Sequence, residues 1–224
     1  MNRTRVLTIR YDNQLKHSDI GKFRGAVISK LGQDADLEFH NHDGEGFVYT
    51  YPKIQYKRIN NKAAIVCINQ GADLVGNFLS VSPSIIRIGE IDTELILNQV
   101  KADLCLVQRW DDVFYYTLRK WLPFNSDNYR EYLACEAVAD RIALLERILT
   151  ANVLSFAKGV GVFFDKEISC RILDLEEPVV TNYKGVKMMS FDIAFKSDVT
   201  IPDFVGLGKG VSIGFGMVKR RRNK

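Results

Sequence analysis

Gly206-Leu-Gly-Lys-Gly-Val-Ser-Ile-Gly-Phe-Gly216 places five glycines in eleven residues, and only eight residues follow it. Glycine has no Cβ, so such a backbone can approach a ligand closely, and Lys209 and Ser212 add donors suited to phosphate. A dinucleotide fingerprint needs its glycines between a strand and a helix, with an acidic residue about 20 positions further on. Only eight residues follow Gly216, so this run is not expected to be a dinucleotide fingerprint. Beyond Gly210, small and apolar residues alternate, which predicts a final strand leading into Met217-Val-Lys-Arg-Arg-Arg-Asn-Lys224. On spacing alone, a plain glycine-rich turn before a terminal strand is an equal reading.

The rest of the chain can support a sizeable core. It has 224 residues, 46% hydrophobic and 11% aromatic, enough for one large or two small domains. Net charge is +4, yet Lys219, Arg220, Arg221, Arg222 and Lys224 supply five positives, leaving 26 basic against 27 acidic residues elsewhere. The surplus is therefore local, which points to a polyanion held at a patch or else to a solvated tail. Cys67, Cys105, Cys135 and Cys170 form no Cys-x-x-Cys pair, so a zinc ribbon and a redox motif are excluded and buried free thiols are expected. Neither a signal-peptide core nor a run of about 18 apolar residues is present, so a cytoplasmic setting with no membrane contact is expected.

Read in order, Val6 to Tyr11 has strand character, and Ser18 is placed to cap a helix from Ile20 to Leu31 that Gly32 ends. A polar stretch, Leu37 to Tyr51, carries His40 and His42. If it is extended, these residues two apart face one side. Phe47 to Lys57 and Ala63 to Ile68 read as a hairpin across Asn60-Asn61, its tip made basic by Lys57, Arg58 and Lys62. A helix over Gln70 to Leu79, a break at Pro83, and strands over Ile85 to Ile91 and Glu94 to Val100 complete a β-α-β-β-α-β order. That order is the ferredoxin-like, or RRM-like, plan. A strand over Leu104 to Leu118, one long amphipathic helix over Tyr129 to Lys158, and strands at Lys166 to Leu175, Pro178 to Tyr183 and Val186 to Phe195 start the plan again. The expected class is α+β: tandem ferredoxin-like domains over 1–103 and 104–224, the second ending in the glycine-rich loop and basic tail.

With this plan in place, the C-terminal Gly-x-Gly-x-Gly-x(3)-Gly-Phe-Gly run resembles that of the CRISPR-associated endoribonucleases that cut precursor CRISPR RNA within its repeats. Phe39-His-Asn-His42, with Tyr49 seven residues beyond the second histidine, is similar to the type I-B-like branch. There, paired histidines and a tyrosine are implicated in cleavage. The resemblance implies His42, His40 and Tyr49 as catalytic residues, with RNA held beside the glycine-rich loop. Many members complete the site with a lysine; Lys53 and Lys57 are near, and no motif selects either. The implied RNA-contacting set is Lys53, Lys57, Arg58, Gly206, Gly208, Lys209, Gly210, Ser212, Lys219, Arg220, Arg221 and Arg222. Implied partners are a CRISPR repeat transcript and other subunits of a CRISPR effector complex, with monomer and homodimer both open.

The residues are chemically sufficient for this. RNA carries its own nucleophile, the 2′-hydroxyl, so cleavage needs a base for that hydroxyl, an acid for the departing 5′-oxygen, and donors for the phosphorane. Histidine serves either proton role near neutral pH, a tyrosine hydroxyl can orient the 2′-oxygen, and no cofactor or metal is called for. Two other readings stand beside it. His-x-His with Asp43 and Glu45 is also a ligand set for a metal. A protein that binds RNA through its sheet, loop and tail without cutting it needs no histidine pair.

Overall fold

The computed structural model describes residues 3–31, 42–43, 46–47, 51–80 and 85–221, with backbone alone at 31, 42–43, 46–47 and 77–80. It divides into two compact units, Met1–Cys105 with Ser212–Gly214, and Leu106–Val211 with Phe215–Lys224.

The first unit runs β1 (Arg3–Gln14), α1 (Ile20–Leu31), β2 (His42–Asp43), β3 (Gly46–Phe47), β4 (Ile54–Ile59), β5 (Lys62–Ile68), α2 (Gln70–Ser80), β6 (Ile85–Ile88), β7 (Ile91–Glu94) and β8 (Leu97–Leu106). Its four-stranded sheet has the order β4-β5-β1-β8, consistent with the ferredoxin-like plan, in which the first and third strands occupy the centre. The β4–β5 hairpin turns at Asn60 and Asn61, whose φ angles of 51° and 67° are the paired left-handed values of a type I′ turn. Side chains alternate on a strand, so Ile54 and Tyr56 share a face, and with Ile9, Tyr11, Ile65 and Cys67 they cover Phe23 and Val27 of α1. Phe23 meets Tyr56 edge-on at 5.7 Å, a favoured aromatic geometry.

Two sequence expectations for this unit are corrected. Ser18 is not a helix cap: His17–Asp19 forms a 3-10 turn that enters α1, and the residue before the turn, Lys16, makes no side-chain cap bond. The apolar run Ile85–Ile91 is not one strand but the β6–β7 hairpin, with Ile88 opposite Ile91 and Gly89 at φ 65° between them.

The second unit runs β9 (Arg109–Trp121), α3 (Ser126–Ala134), α4 (Val138–Gly159), β10 (Cys170–Leu175), β11 (Val179–Tyr183), β12 (Val186–Val199) and β13 (Met217–Arg220). The path β10-β12-β9-β13, with β11 added against β12, repeats the sheet order of the first unit. Where the plan has its second helix, a loop with only a 3-10 turn, Val211–Ile213, lies between β12 and β13. The residues after Gly210 therefore enter a turn rather than the expected strand. The single long helix is also corrected to two. Asn125 caps α3 by accepting from the Asn128 amide at 2.7 Å, and the break at Cys135 is held by Arg141 Nε donating to its carbonyl at 3.0 Å. Arg147 then clamps Glu131 at 2.6 Å, tying the two helices together. The core gathers Trp121, Phe191, Phe124 and Tyr132, with Tyr116 stacked on Phe195 at 5.2 Å.

Among the described residues, no helix is long and apolar enough to cross a membrane. All four cysteines are free; Cys67 and Cys170 are buried, Cys105 and Cys135 only partly so.

Candidate nucleic-acid interface

Of the expected catalytic residues, His40 and Tyr49 lie outside the described residues, and of His42 only the backbone is described. His42 opens β2 and stands opposite Phe47 in a two-residue ladder with β3.

Of the basic residues expected at the β4–β5 hairpin, Lys57 is withdrawn from the surface, whereas Arg58 and Lys62 stay partly exposed. Lys57 is fully buried, which removes its ammonium from any surface phosphate and pushes its pKa down to about 7 by desolvation. Lys53 is partly buried and its pKa is lowered for the same reason. Arg58 directs its Nε to the Leu15 carbonyl at 2.8 Å, and Lys62 pairs with Asp12 at 2.7 Å, so both cations brace the hairpin. Lys57 makes a measurable prediction. Its folded-state pKa lies below the ordinary 10.5, so between these values the unfolded chain binds a proton that the folded chain does not. Stability therefore rises with pH across that window, and the desolvation cost is fully present below it. Denaturant midpoints of wild type minus those of Lys57→Met are expected to climb from pH 7 to pH 10, and a flat difference would show that Lys57 keeps its proton.

The glycine-rich loop is shaped chiefly by its own protein. The amides of Leu207, Lys209, Phe215 and Gly216 donate to the carbonyls of Gly216, Leu122, Gly210 and Lys120 at 2.8 to 3.2 Å, so these four do not face a phosphate. Gly206 bridges Met217. A Cβ on Gly208 would stand 2.8 Å from the Trp121 ring, and one on Gly210 2.8 Å from that of Phe215, both at positive φ. At these two positions the missing Cβ makes room for a neighbouring ring. Lys209 and Ser212 remain partly exposed and keep their side-chain donors.

The basic tail is also divided. β13 pairs Lys219 with Thr117 and Arg220 with Tyr116 on β9, so successive side chains leave opposite faces. Arg220 lies over the Phe114 ring at 4.7 Å. On the other face the register lines up Arg171, Lys196 and Tyr115 across β10, β12 and β9, continued by Arg221, whose amide donates to the Tyr115 carbonyl at 2.7 Å. Arg171 is engaged by Glu146 at 2.6 Å. Lys196, Lys219 and Arg221 thus stand with Tyr115 on one sheet face, three cations around an aromatic ring that can stack on a base. Sequence reading missed Lys196 and Tyr115, because neither lies in a charge run and only the strand register brings them beside the tail. Arg222 lies outside the described residues.

Two sheet-rich α+β units, one carrying a basic, aromatic sheet face, define a class of protein suited to hold nucleic acid. The chain matches the model of the Cas6b N-terminal domain over residues 2–104 and that of the Cas6b C-terminal domain over residues 108–221, and it belongs to the Cas6b family. A crystal structure of Cas6b is 26% identical at a TM-score of 0.88, covering 98% of this chain and all of that one. A CRISPR RNA processing endoribonuclease Cas6b shares the fold at 24% identity and a TM-score of 0.76, with the same coverage. An uncharacterized protein of Methanocaldococcus jannaschii is 35% identical over 106 residues, which span 47% of this chain and 71% of that protein.

Proposed function

We propose that this chain is an endoribonuclease of two ferredoxin-like domains that cuts CRISPR repeat RNA by attack of the substrate's own 2′-hydroxyl. The observation that carries this reading is the Cas6b family match over both halves of the chain. It is supported by the likeness to a Cas6b described as a CRISPR RNA processing endoribonuclease. His42 and His40 serve as proton donor and acceptor, Tyr49 orients the reacting oxygen, and the products are a 2′,3′-cyclic phosphate and a 5′-hydroxyl. RNA is held by Lys209, Ser212 and the Lys196, Lys219, Arg221 and Tyr115 face, in a cytoplasmic setting.

The test is a labelled repeat transcript and the same RNA with one 2′-deoxy substitution just upstream of the scissile phosphate. The native RNA is expected to be cut in excess EDTA. The deoxy RNA is expected to bind and stay intact, because it lacks only the attacking oxygen. Cutting of the deoxy RNA would assign the attack to an activated water; a shifted but uncut native RNA would make the chain a binding subunit.

Binding itself has a separate signature. Lys196→Gln, Lys219→Gln and Arg221→Gln are each expected to flatten the log-affinity against log-salt slope by about 0.7, one counterion on single-stranded RNA. Arg220→Gln is expected to leave the slope unchanged. Equal slopes for all four would remove this sheet face from the interface.

A further inference from the structure

β11 stands aside from the four-strand path of the second unit and pairs with β12. Val179, Val180 and Val186 of this hairpin are 60% exposed or more, so it adds little to the core. Its tip is nonetheless closely built. Lys184 and Gly185 have φ angles of 52° and 81°, the paired left-handed values of a type I′ turn. Tyr183 stands opposite Val186, and the Gly185 amide donates to Asn182 Oδ1 at 2.9 Å. This turn carries the Tyr183 ring onto the glycine-rich loop. The ring meets Phe215 edge-on at 5.7 Å, and a Cβ on Gly210 would stand 2.9 Å from it.

Lys209 is thereby fixed from both sides. Its own amide donates to the Leu122 carbonyl at 3.1 Å, and the carbonyl of Gly210, next in the chain, accepts from the Phe215 amide at 3.2 Å. Tyr183 lies against both members of that second pair. A lysine stem is flexible, so the fold directs its charge chiefly by fixing the backbone from which it grows.

We propose that Tyr183 is a positioning residue for RNA binding: the β11–β12 tip braces the glycine-rich loop and holds Lys209 in the direction from which it meets a phosphate. The inference rests on the reading of Lys209 as an RNA contact. A loop ordered before the RNA arrives loses less conformational freedom on binding. An edge-on aromatic pair works through the ring and not the hydroxyl, so phenylalanine should serve at position 183 and leucine should not. Because the tip lies outside the core, both variants are expected to fold.

Two measurements test this, one of them without RNA. Amide exchange of the free protein, followed by NMR, is expected to quicken about tenfold at Phe215 in Tyr183→Leu and to stay unchanged in Tyr183→Phe. Binding of a labelled repeat RNA by Tyr183→Leu is expected to weaken about fivefold. Its log-affinity against log-salt slope should flatten by about 0.7, the change expected of Lys209→Gln. Tyr183→Leu/Lys209→Gln is expected to bind as Lys209→Gln does, since the brace then has no charge left to direct. Unchanged exchange at Phe215 in Tyr183→Leu, or losses that add in the double variant, would overturn the inference. So would an unaltered slope in Lys209→Gln, which takes the loop out of the interface; Lys196→Gln, measured alongside, separates that outcome from a failure of RNA binding by the sheet face.

Discussion

His42→Ala is expected to lower RNA cleavage by about a hundredfold or more while RNA affinity stays within about twofold, the ordinary scale for loss of a general acid or base. The 2′-hydroxyl is a poor nucleophile until its proton leaves, and the 5′-oxygen is a poor leaving group until it gains one. Both transfers need groups that change protonation near neutral pH, and histidine is the side chain whose ordinary pKa lies there. The chain holds three histidines. His42 stands at the start of β2. His40→Ala is expected to cost less than His42→Ala if one imidazole partly replaces the other, and His40→Ala/His42→Ala should abolish cutting. Single-turnover rates and filter binding on the same repeat RNA separate chemistry from affinity. Full activity in the double variant would place the chemistry elsewhere, with His17 the only histidine left.

The largest expected effect on stability falls at Gly216, at the end of the glycine-rich loop. Gly216 has φ 60°, and a Cβ there would drive into the Leu207 backbone carbonyl. The loop closes on itself at this point: the Leu207 amide donates to the Gly216 carbonyl at 2.8 Å, while the Gly216 amide donates to Lys120 of β9 at 3.0 Å. A backbone atom cannot swing aside as a flexible side chain can, so Gly216→Ala is expected to cost about 3 kcal/mol or more, strain and clash together. Gly161 supplies the control, with φ 80° and nothing within 4 Å of its missing Cβ. Gly161→Ala should cost only the left-handed conformation, about 1 kcal/mol. Denaturant unfolding of both variants reads the difference; equal losses would show that the Leu207 contact relaxes freely.

Sequence by itself determined the features that arise within a few residues of one another. Asn60-Asn61 specified the β4–β5 turn because asparagine tolerates left-handed backbone, and the spacing of Ile20, Phe23, Val27 and Ile28 specified α1. The β-α-β-β-α-β order followed from such pieces, and the Phe39–His42 and Gly206–Gly216 motifs pointed to the family. Tertiary structure decided what depends on pairing across the chain. Lys57 reads as a surface cation beside Arg58, yet it is buried, because alternation assigns a side chain to a face and cannot say whether that face meets water. The break at Cys135 has no glycine or proline to announce it; Arg141 and Arg147 hold it from the next helix. The run Lys219-Arg220-Arg221 reads as one patch, but the register with β9 sends Arg220 to one face and its neighbours to the other. Local chemistry sets the turn and the period, whereas burial and register are set by residues distant in sequence, and for that reason they became legible only in the folded chain.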